Sequence, residues 1–480
     1  MSDNKNKSKY LFKNIGILTI AQFGSKFISF LLVPLYTNIL TTEEYGIYEL
    51  AYTTITLLIP FVTLNIAEST IRFSLDENED KKKVFTISIK YLLIGTTIVA
   101  GLLVINNVFN IVKISKYLVF LIFVIYIVQS LGSVLSGFAR GLDKVADMAI
   151  SGVLSSGVIV LSNILFLVIF KWGLIGYFLA NCFGPLVQCI YLWYRVNCKN
   201  YILKYPFGID IEREMISYSK PMIANATAWW INSASDRFIV TFFCGVAVNG
   251  IYSIGYKIPS ILAAFTNLFN SAWTLSAVRD YDSNDQDGFF TKMYSLYNYV
   301  VTLVCSVILV LSRFFASLLF AKDFYDCWIY IPWLLMSNLF CALAGYIGGI
   351  FSAVKDTKMF AKSTVIGAII NILLNILLVR YIGALGAALS TLISYIAIWV
   401  IRYKGVIKYI KMKIKLVRDI VAYTLLLIQG LLLLAFRDEN LSLYLLEFTI
   451  FIIILLLFRD ESCVVYSIIY DKHQRYKGLK

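Results

Sequence analysis

Ionisable side chains are scarce in this chain of 480 residues: charged residues make up 15% of it, and there is one histidine, His473. A single histidine in the C-terminal tail excludes histidine proton relays and histidine metal sites within the apolar part of the sequence. The eight cysteines show no CxxC or other metal-ligand spacing, so we interpret them as small core residues. No hydrophilic stretch is long enough to form a separate catalytic domain, which argues against most enzyme classes.

Hydrophobic residues make up 59% of the chain, and the mean hydropathy is +0.76. They lie in apolar stretches of about 20 residues, the length that crosses the hydrocarbon core of a bilayer as a helix. Because peptide groups in lipid must be satisfied within their own segment, the sequence predicts an all-α, polytopic membrane protein with about 14 transmembrane helices. The predicted spans are about 12–35, 45–67, 85–107, 117–138, 147–170, 172–194, 217–243, 248–273, 293–312, 327–352, 360–380, 382–401, 418–436 and 441–458.

The net charge of +14 is a value that nucleic-acid-binding proteins also show. Most of the 43 Lys and Arg residues, however, fall in the loops on one side of the predicted spans, together with both termini. This asymmetry follows the positive-inside rule, so we expect cytoplasmic termini and no nucleic-acid partner. The polar N terminus enters the first span without a cleavage motif and is predicted to be an uncleaved helix.

Two halves of the sequence repeat one another. Gly46-Ile47-Tyr48 recurs as Gly250-Ile251-Tyr252, and Lys26-Phe27-Ile28 corresponds to Arg237-Phe238-Ile239. Six predicted spans separate the copies, so the halves have the same orientation and predict two parallel, pseudo-symmetric six-helix lobes plus two C-terminal helices. The predicted organisation is an N-lobe at 1–194, a cytoplasmic linker at 195–220, a C-lobe at 221–401, and a basic loop, two further helices and a cytoplasmic tail at 402–480.

Lys26 and Arg237 occupy equivalent places in the two halves, inside predicted spans where a charge is costly. Pseudo-twofold symmetry would place them on opposite walls of a central cavity. Two cations there are favourable only when an anion lies between them, and the arginine fork suits a phosphate. The alternative is an ordinary internal pair, in which Arg237 binds Asp236 or a carboxylate on a neighbouring helix.

Three further ionisable residues lie within the repeated spans. Lys257 is a weaker candidate for anion binding, since it could instead reach the membrane interface or pair with Glu49. Glu49 and Asp236 are candidates for coupling transport to a proton or a cation, because a carboxylate near a basic group responds to the state of the cavity. Their alternative role is to neutralise the nearby cations.

Trp229 and Trp230 lie in the middle of the predicted span that also carries Arg237. Sugar rings stack on aromatic faces, so these two side chains are candidates for contact with a glycan. Packing against lipid or against neighbouring helices is the alternative.

These features together resemble the polysaccharide transporters and oligosaccharide flippases of the MOP superfamily, over roughly residues 10–405. Asp236-Arg237-Phe238-Ile239 and the Gly250 segment are similar to the family's seventh and eighth helices. The other matching segments are Val33-Pro34-Leu35-Tyr36, Thr41–Tyr48, Ile71-Arg72-Phe73 and the turns at Gly173 and Gly383.

The resemblance implies two lobes around a basic cavity, alternating access and no enzymatic activity. The implied cargo is an oligosaccharide repeat unit on undecaprenyl diphosphate, flipped across the bacterial cytoplasmic membrane for O-antigen, capsule or exopolysaccharide synthesis. Lys26, Arg72 and Arg237 would bind the diphosphate, with Asp236 beside them. No cofactor is expected apart from a coupling H⁺ or Na⁺. Expected partners are membrane lipids, a polysaccharide polymerase and a chain-length regulator.

Two other functions remain open on the sequence alone. A drug/cation antiporter of the same fold would favour a cavity richer in carboxylates than this one. A membrane glycosyltransferase or polymerase would place its catalytic groups on a sizeable outer loop, and the outer segment near 313–327 carries only Asp323 and Asp326.

Overall fold

The computed structural model describes residues 24, 27–110, 115–203, 209–436 and 441–467. Within these residues every regular element is helical and no strand occurs, which confirms the all-α prediction. Lys26 lies outside the described residues. The chain packs as two compact units, 1–250 with 320–322, and 251–319 with 323–480.

The first unit contains nine complete helices among its described residues. They are α1 Val33–Ile39, α2 Thr42–Val62, α3 Ile66–Leu75, α4 Lys81–Phe109, α5 Lys116–Gly141, α6 Val145–Asn163, α7 Gly173–Val196, α8 Ile209–Ala234 and α9 Asp236–Cys244. A π-helical turn, Ile164–Ile169, continues α6, and α10, Val246–Gly255, begins in this unit.

The second unit begins within α10 and contains the remaining helices. They are α11 Pro259–Arg279, α12 Phe289–Val310, α13 Ser312–Leu319, α14 Ile331–Ala353, α15 Thr357–Ile382, α16 Ala384–Val406, α17 Leu416–Ala435 and α18 Leu441–Leu457. A final helix, α19, runs from Arg459 to Ser467 at 77° to α18.

Eleven of the described helices are long and apolar enough to cross a membrane, or twelve if α18 and α19 form one bent span. The predicted count of fourteen is therefore not confirmed. The predicted first span falls mostly on residues outside those described. The predicted seventh span, 217–243, is divided between α8 and α9, because the helix breaks at Ser235.

A reciprocal pair of hydrogen bonds caps the start of α2. The Thr41 side chain accepts a hydrogen bond from the backbone N–H of Glu44, and the Glu44 carboxylate accepts one from the backbone N–H of Thr41 at 2.9 Å. This reciprocal capping satisfies two amide groups that the first turn leaves unpaired. It fixes the start of the helix that carries Gly46 and Glu49.

The repeated glycines face each other. A Cβ atom on Gly250 would overlap the carbonyl oxygen of Thr42, and one on Gly46 would overlap that of Val246. The Asn249 side-chain amide also reaches the carbonyl oxygen of Gly46, at 3.5 Å. The two Gly-Ile-Tyr segments thus mark a crossing at which α2 and α10 approach closely because neither glycine carries a side chain.

The linker predicted at 195–220 leads into a single 26-residue helix, α8, with Pro221 inside it. The Ser69 hydroxyl donates to the carbonyl oxygen of Met215, and Lys90 forms an ion pair with Glu212 at 2.7 Å. Burial by itself raises the pKa of the Glu212 carboxyl, but hydrogen bonds from Lys90 and Tyr91 outweigh it and hold the pKa below its ordinary value. These contacts attach α8 to the first unit, whereas the predicted lobe boundary falls at 221.

Candidate substrate-binding site

Glu49 and Arg237 form an ion pair within the first unit. The Nε atom of Arg237, on α9, lies 3.6 Å from Oε2 of Glu49 on α2, and their side chains are 15% and 11% exposed. From the sequence, the partner of Arg237 was expected to be Asp236 or a carboxylate on a neighbouring helix. In the structure the ion pair is with a carboxylate on a neighbouring helix, α2. Lys257 was the residue considered from the sequence as a partner of Glu49, whereas in the structure Glu49 pairs with Arg237.

A cluster of buried tyrosines holds the other side of Glu49. The hydroxyl of Tyr45, one helical turn earlier, donates to Oε1 of Glu49 at 2.7 Å. The Tyr45 ring stacks on Tyr36 with a centroid separation of 5.5 Å, and Tyr177 lies against both rings. The packed Tyr45 thus binds Oε1 of Glu49, while Oε2 of the same carboxylate lies toward Arg237.

Sequence reasoning missed the tyrosine cluster. Tyr45 lies four residues before Glu49, a spacing that places two side chains on the same helix face. That spacing was a usable signal for the hydrogen bond. The contribution of Tyr177 had no such signal, because it comes from α7, more than 120 residues along the chain.

Asp236 is 2% exposed and lies in the first turn of α9. Its Oδ1 atom accepts a hydrogen bond from the backbone N–H of Arg237 at 3.0 Å. A carboxylate at this position also interacts favourably with the positive end of the helix dipole. Asp236 thus supports the start of α9 and, with it, the position from which Arg237 extends.

The two tryptophans differ in their surroundings. The Trp230 indole N–H donates to the carbonyl oxygen of Thr53 on α2 at 3.2 Å, and its ring lies 5.6 Å from that of Phe238. Trp230 therefore fixes α8 to α2. Trp229 is 38% exposed and retains an aromatic face that other molecules can reach. Trp229 remains the candidate for sugar stacking, and Trp230 is better described as an anchor.

The remaining predicted cationic site residues are Arg72, Lys257 and Lys26. Arg72 is near the end of α3, where it pairs with Asp76 at 3.6 Å and is 55% exposed. Lys257 belongs to the second unit and lies in the short break between α10 and α11. Lys26 lies outside the described residues. Of the predicted site residues, the structure brings together Glu49, Asp236, Arg237 and Trp230.

More than half of the chain, residues 11–274, matches the sequence family described as polysaccharide biosynthesis protein. The chain belongs to this family. The resemblance to a polysaccharide family, which the sequence motifs indicate, is thereby confirmed. The match includes every residue of the ion pair and the tyrosine cluster.

A curated relative of this family member is Agl15 of Haloferax volcanii, named as a probable low-salt glycan biosynthesis flippase. The two proteins are 23% identical over 192 residues, which is 38% of this chain and 39% of the relative. The match therefore spans about two fifths of the length of that protein.

Solved structures show the same fold for this family member. The lipid II flippase MurJ, in an inward closed conformation, has a TM-score of 0.64 at 17% identity and covers 94% of this chain and 99% of MurJ. An inward-facing MATE multidrug transporter of the MOP superfamily has a TM-score of 0.66 at 13% identity, covering 82% and 94%. These proteins are named as transporters and flippases, in agreement with the prediction that this chain is not an enzyme.

The ion pair supports a first prediction on stability. We expect Glu49→Gln to lower the melting temperature of the purified protein by a few degrees, since it removes a carboxylate charge from beside the largely buried Arg237 guanidinium. Combining it with Arg237→Gln should cost less than the sum of the two single changes, with a coupling on the order of 1 kcal/mol. Thermal unfolding of the four proteins in one detergent measures this. Strictly additive changes in melting temperature would contradict an ion pair between Glu49 and Arg237.

Proposed function

We propose that this protein flips a lipid-linked oligosaccharide, a repeat unit carried on undecaprenyl diphosphate, from the cytoplasmic to the outer leaflet of the cell membrane. The observation that carries the proposal is membership of the polysaccharide biosynthesis family over residues 11–274. The names of Agl15 and of MurJ, a glycan flippase and a lipid II flippase, support it. The glycan would serve O-antigen, capsule or exopolysaccharide synthesis.

Arg237 is the residue that we propose contacts the diphosphate. A guanidinium donates two parallel hydrogen bonds to phosphate oxygens, and in the resting protein Glu49 balances its charge. On substrate binding, Arg237 exchanges the Glu49 carboxylate for the diphosphate, while the exposed face of Trp229 contacts a sugar ring. Lys26, Arg72 and Lys257 remain further candidates for contact with the diphosphate in this proposal.

The released Glu49 carboxylate provides a means of coupling. Once Arg237 turns to the substrate, Glu49 loses its counter-charge and gains affinity for a proton or a sodium ion. Return of the empty transporter then requires that the cation leave and the ion pair reform. Asp236 remains a second candidate for the same role, and no other cofactor is proposed.

The membrane, the orientation and the protein partners follow from the same proposal. The distribution of Lys and Arg favours cytoplasmic termini in the cytoplasmic membrane of a bacterium. A polymerase on the outer face would consume the flipped repeat unit, and a chain-length regulator would act with that polymerase.

The experiment that tests the proposal is a flipping assay in liposomes. Fluorescent undecaprenyl-diphosphate oligosaccharide is reconstituted symmetrically with the protein, and a membrane-impermeant reductant then quenches the label on the outer leaflet. We expect nearly all of the label to be quenched with the protein present and about half in protein-free liposomes. Undecaprenyl-monophosphate sugar is the matched control substrate and should flip more slowly.

A drug/cation antiporter is the second candidate, favoured by the MATE fold similarity. It predicts that a cationic dye is expelled from liposomes when a proton or sodium gradient is imposed. Dye transport without any flipping of the lipid-linked sugar would overturn the flippase proposal in favour of this one. A membrane glycosyltransferase or polymerase has less support, because none of the relatives above is named as one.

A further inference from the structure

A column of buried polar side chains runs through the second unit, between α12 and the C-terminal helices. On α12 it consists of Ser295, Asn298, Thr302 and Ser306, spaced three and four residues apart and therefore on one helix face. The last three are 0% exposed. From Ser295 to Ser306 the column follows about 16 Å of helix, a large part of the thickness of a bilayer core.

One end of the column is ionic. Arg418 donates to Glu461 at 2.5 Å, to Asp419 at 2.8 Å and to Ser295 at 3.1 Å. Asp419 is 0% and Glu461 7% exposed. The Oδ2 atom of Asp419 and the Oε2 atom of Glu461 have no hydrogen-bond partner among the described residues. Two carboxylates therefore share one guanidinium, which leaves this end with an excess negative charge.

Hydroxyl and amide groups continue the column. Tyr423 and Thr302 both donate to the side-chain oxygen of Asn298, at 2.9 and 3.2 Å. Further along, Ser306 donates to the side-chain oxygen of Gln429 at 2.9 Å. The amide group of Gln429 in turn donates to the backbone carbonyl oxygen of Glu447 at 3.2 Å. Each level joins α12 to α17, and the last also reaches α18.

The other end is the carboxyl group of Glu447 itself. Glu447 is 0% exposed, on an otherwise apolar helix, and neither of its carboxyl oxygens has a hydrogen-bond partner among the described residues. No Lys or Arg in that part of the chain lies within ion-pair distance of it. The titratable groups on the elements packed against α18 are Lys292, Tyr294, Tyr297, Tyr299 and Cys305 on α12, Arg418, Asp419 and Tyr423 on α17, and Arg459, Asp460, Glu461, Cys463 and Tyr466 on α19.

Helix association alone does not account for this side chain. Polar residues that hold membrane helices together do so by making hydrogen bonds across the interface. Among the described residues the Glu447 carboxyl oxygens have no hydrogen-bond partner, since the Gln429 amide bonds to the backbone carbonyl oxygen of Glu447, and burial of a charged carboxylate in this way is unfavourable. A carboxylate buried in this way is stabilised when a cation binds to it. Because its surroundings are compact and apolar, the smallest cation, the proton, fits best.

We propose that Glu447 is a proton-binding site at the buried end of the polar column. The proton comes from water. Glu447 takes up the proton on its carboxylate and loses its charge. The use of this proton to drive transport rests on the proposed flippase function, whereas the binding itself does not.

Infrared spectroscopy of the purified protein tests the binding. A protonated carboxylic acid has its own C=O stretching band, which shifts in D₂O. We expect a band of the wild-type protein to disappear in Glu447→Gln, which keeps the shape of the side chain and removes the titration. Asp460→Asn, an exposed carboxylate that pairs with Lys415 on the protein surface, is the matched control and should leave the band unchanged.

A spectrum of Glu447→Gln identical with that of the wild type would overturn the proton site. Loss of the band on adding sodium chloride at fixed pH would overturn it in favour of sodium.

The flipping assay under an imposed proton gradient tests coupling. We expect the gradient to accelerate flipping by the wild type and by Asp460→Asn, and to accelerate it less in Glu447→Gln, which retains its rate without a gradient. A wild-type protein that shows the Glu447 band but flips no lipid-linked sugar would reject the proposed function and leave the proton site intact. Equal gradient stimulation of the wild type and Glu447→Gln would overturn the coupling.

Discussion

Arg237→Ala abolishes surface glycan export in cells that depend on this protein, while the protein still inserts into the membrane. The change removes the guanidinium proposed to hold the diphosphate. Truncating one partner of a buried, hydrogen-bonded charge pair costs about 2–5 kcal/mol, which corresponds to a loss in substrate affinity of about thirtyfold to several thousandfold. Surface glycan is measured at matched amounts of membrane protein. Lys26→Ala should act in the same direction.

Two further variants separate binding of the substrate from stability of the protein. Arg237→Lys should retain part of the export, because it keeps the charge and loses the two-pronged hydrogen bond. Arg195→Ala removes an exposed arginine that pairs with Asp147 and should leave export unchanged. The double variant Glu49→Gln/Arg237→Ala should recover thermal stability without export. Wild-type glycan in both Arg237→Ala and Lys26→Ala would disprove the cavity proposal.

Gly250→Val prevents the protein from folding in the membrane. The new side chain would overlap the backbone of Thr42, where α2 and α10 approach each other. Backbone atoms cannot move aside as flexible side chains do, so the helices must separate, and the cost exceeds the ~1–3 kcal/mol typical of an overpacked core. We expect most of the protein to elute as aggregate in detergent gel filtration. Gly46→Val should do the same, through Val246.

A matched control distinguishes this packing effect from a general intolerance to valine. Gly101, on α4, has no atom within 4 Å of the position that a Cβ would take. Gly101→Val should therefore elute as the wild type does, at a similar melting temperature. A normal elution profile for Gly250→Val would show that the two helices do not approach as closely as the structure indicates.

The local features of the fold could be predicted closely. Hydropathy placed eleven or twelve of the fourteen expected spans, since apolar length alone decides whether a helix crosses a bilayer. The predicted seventh span corresponds to two helices, α8 and α9, because Ser235 separates them. The capping residues Thr41 and Glu44 act within one turn of chain, so their roles could be predicted from spacing.

The partners of the functional residues could not be predicted in the same way. Charge and cost of burial singled out Arg237, Glu49 and Asp236 as residues in need of partners. Which partner each one has depends on the contacts of α9 with α2, which no spacing in the sequence specifies. For the same reason Trp229 and Trp230 could not be distinguished in the sequence. In the structure the Trp230 indole donates a hydrogen bond to α2, whereas Trp229 is 38% exposed.

The sequence by itself determined that this protein is helical, lies in a membrane and is built from two copies of one pattern. Those properties depend on composition and on segment length, and can therefore be predicted without knowledge of the packing. Only the tertiary structure decided that Gly46 meets Gly250, that Arg237 is balanced by Glu49, and that polar residues from three distant segments align beside Glu447. Such contacts depend on which helix faces meet, and periodicity tells which face of a helix is buried but not what it is buried against.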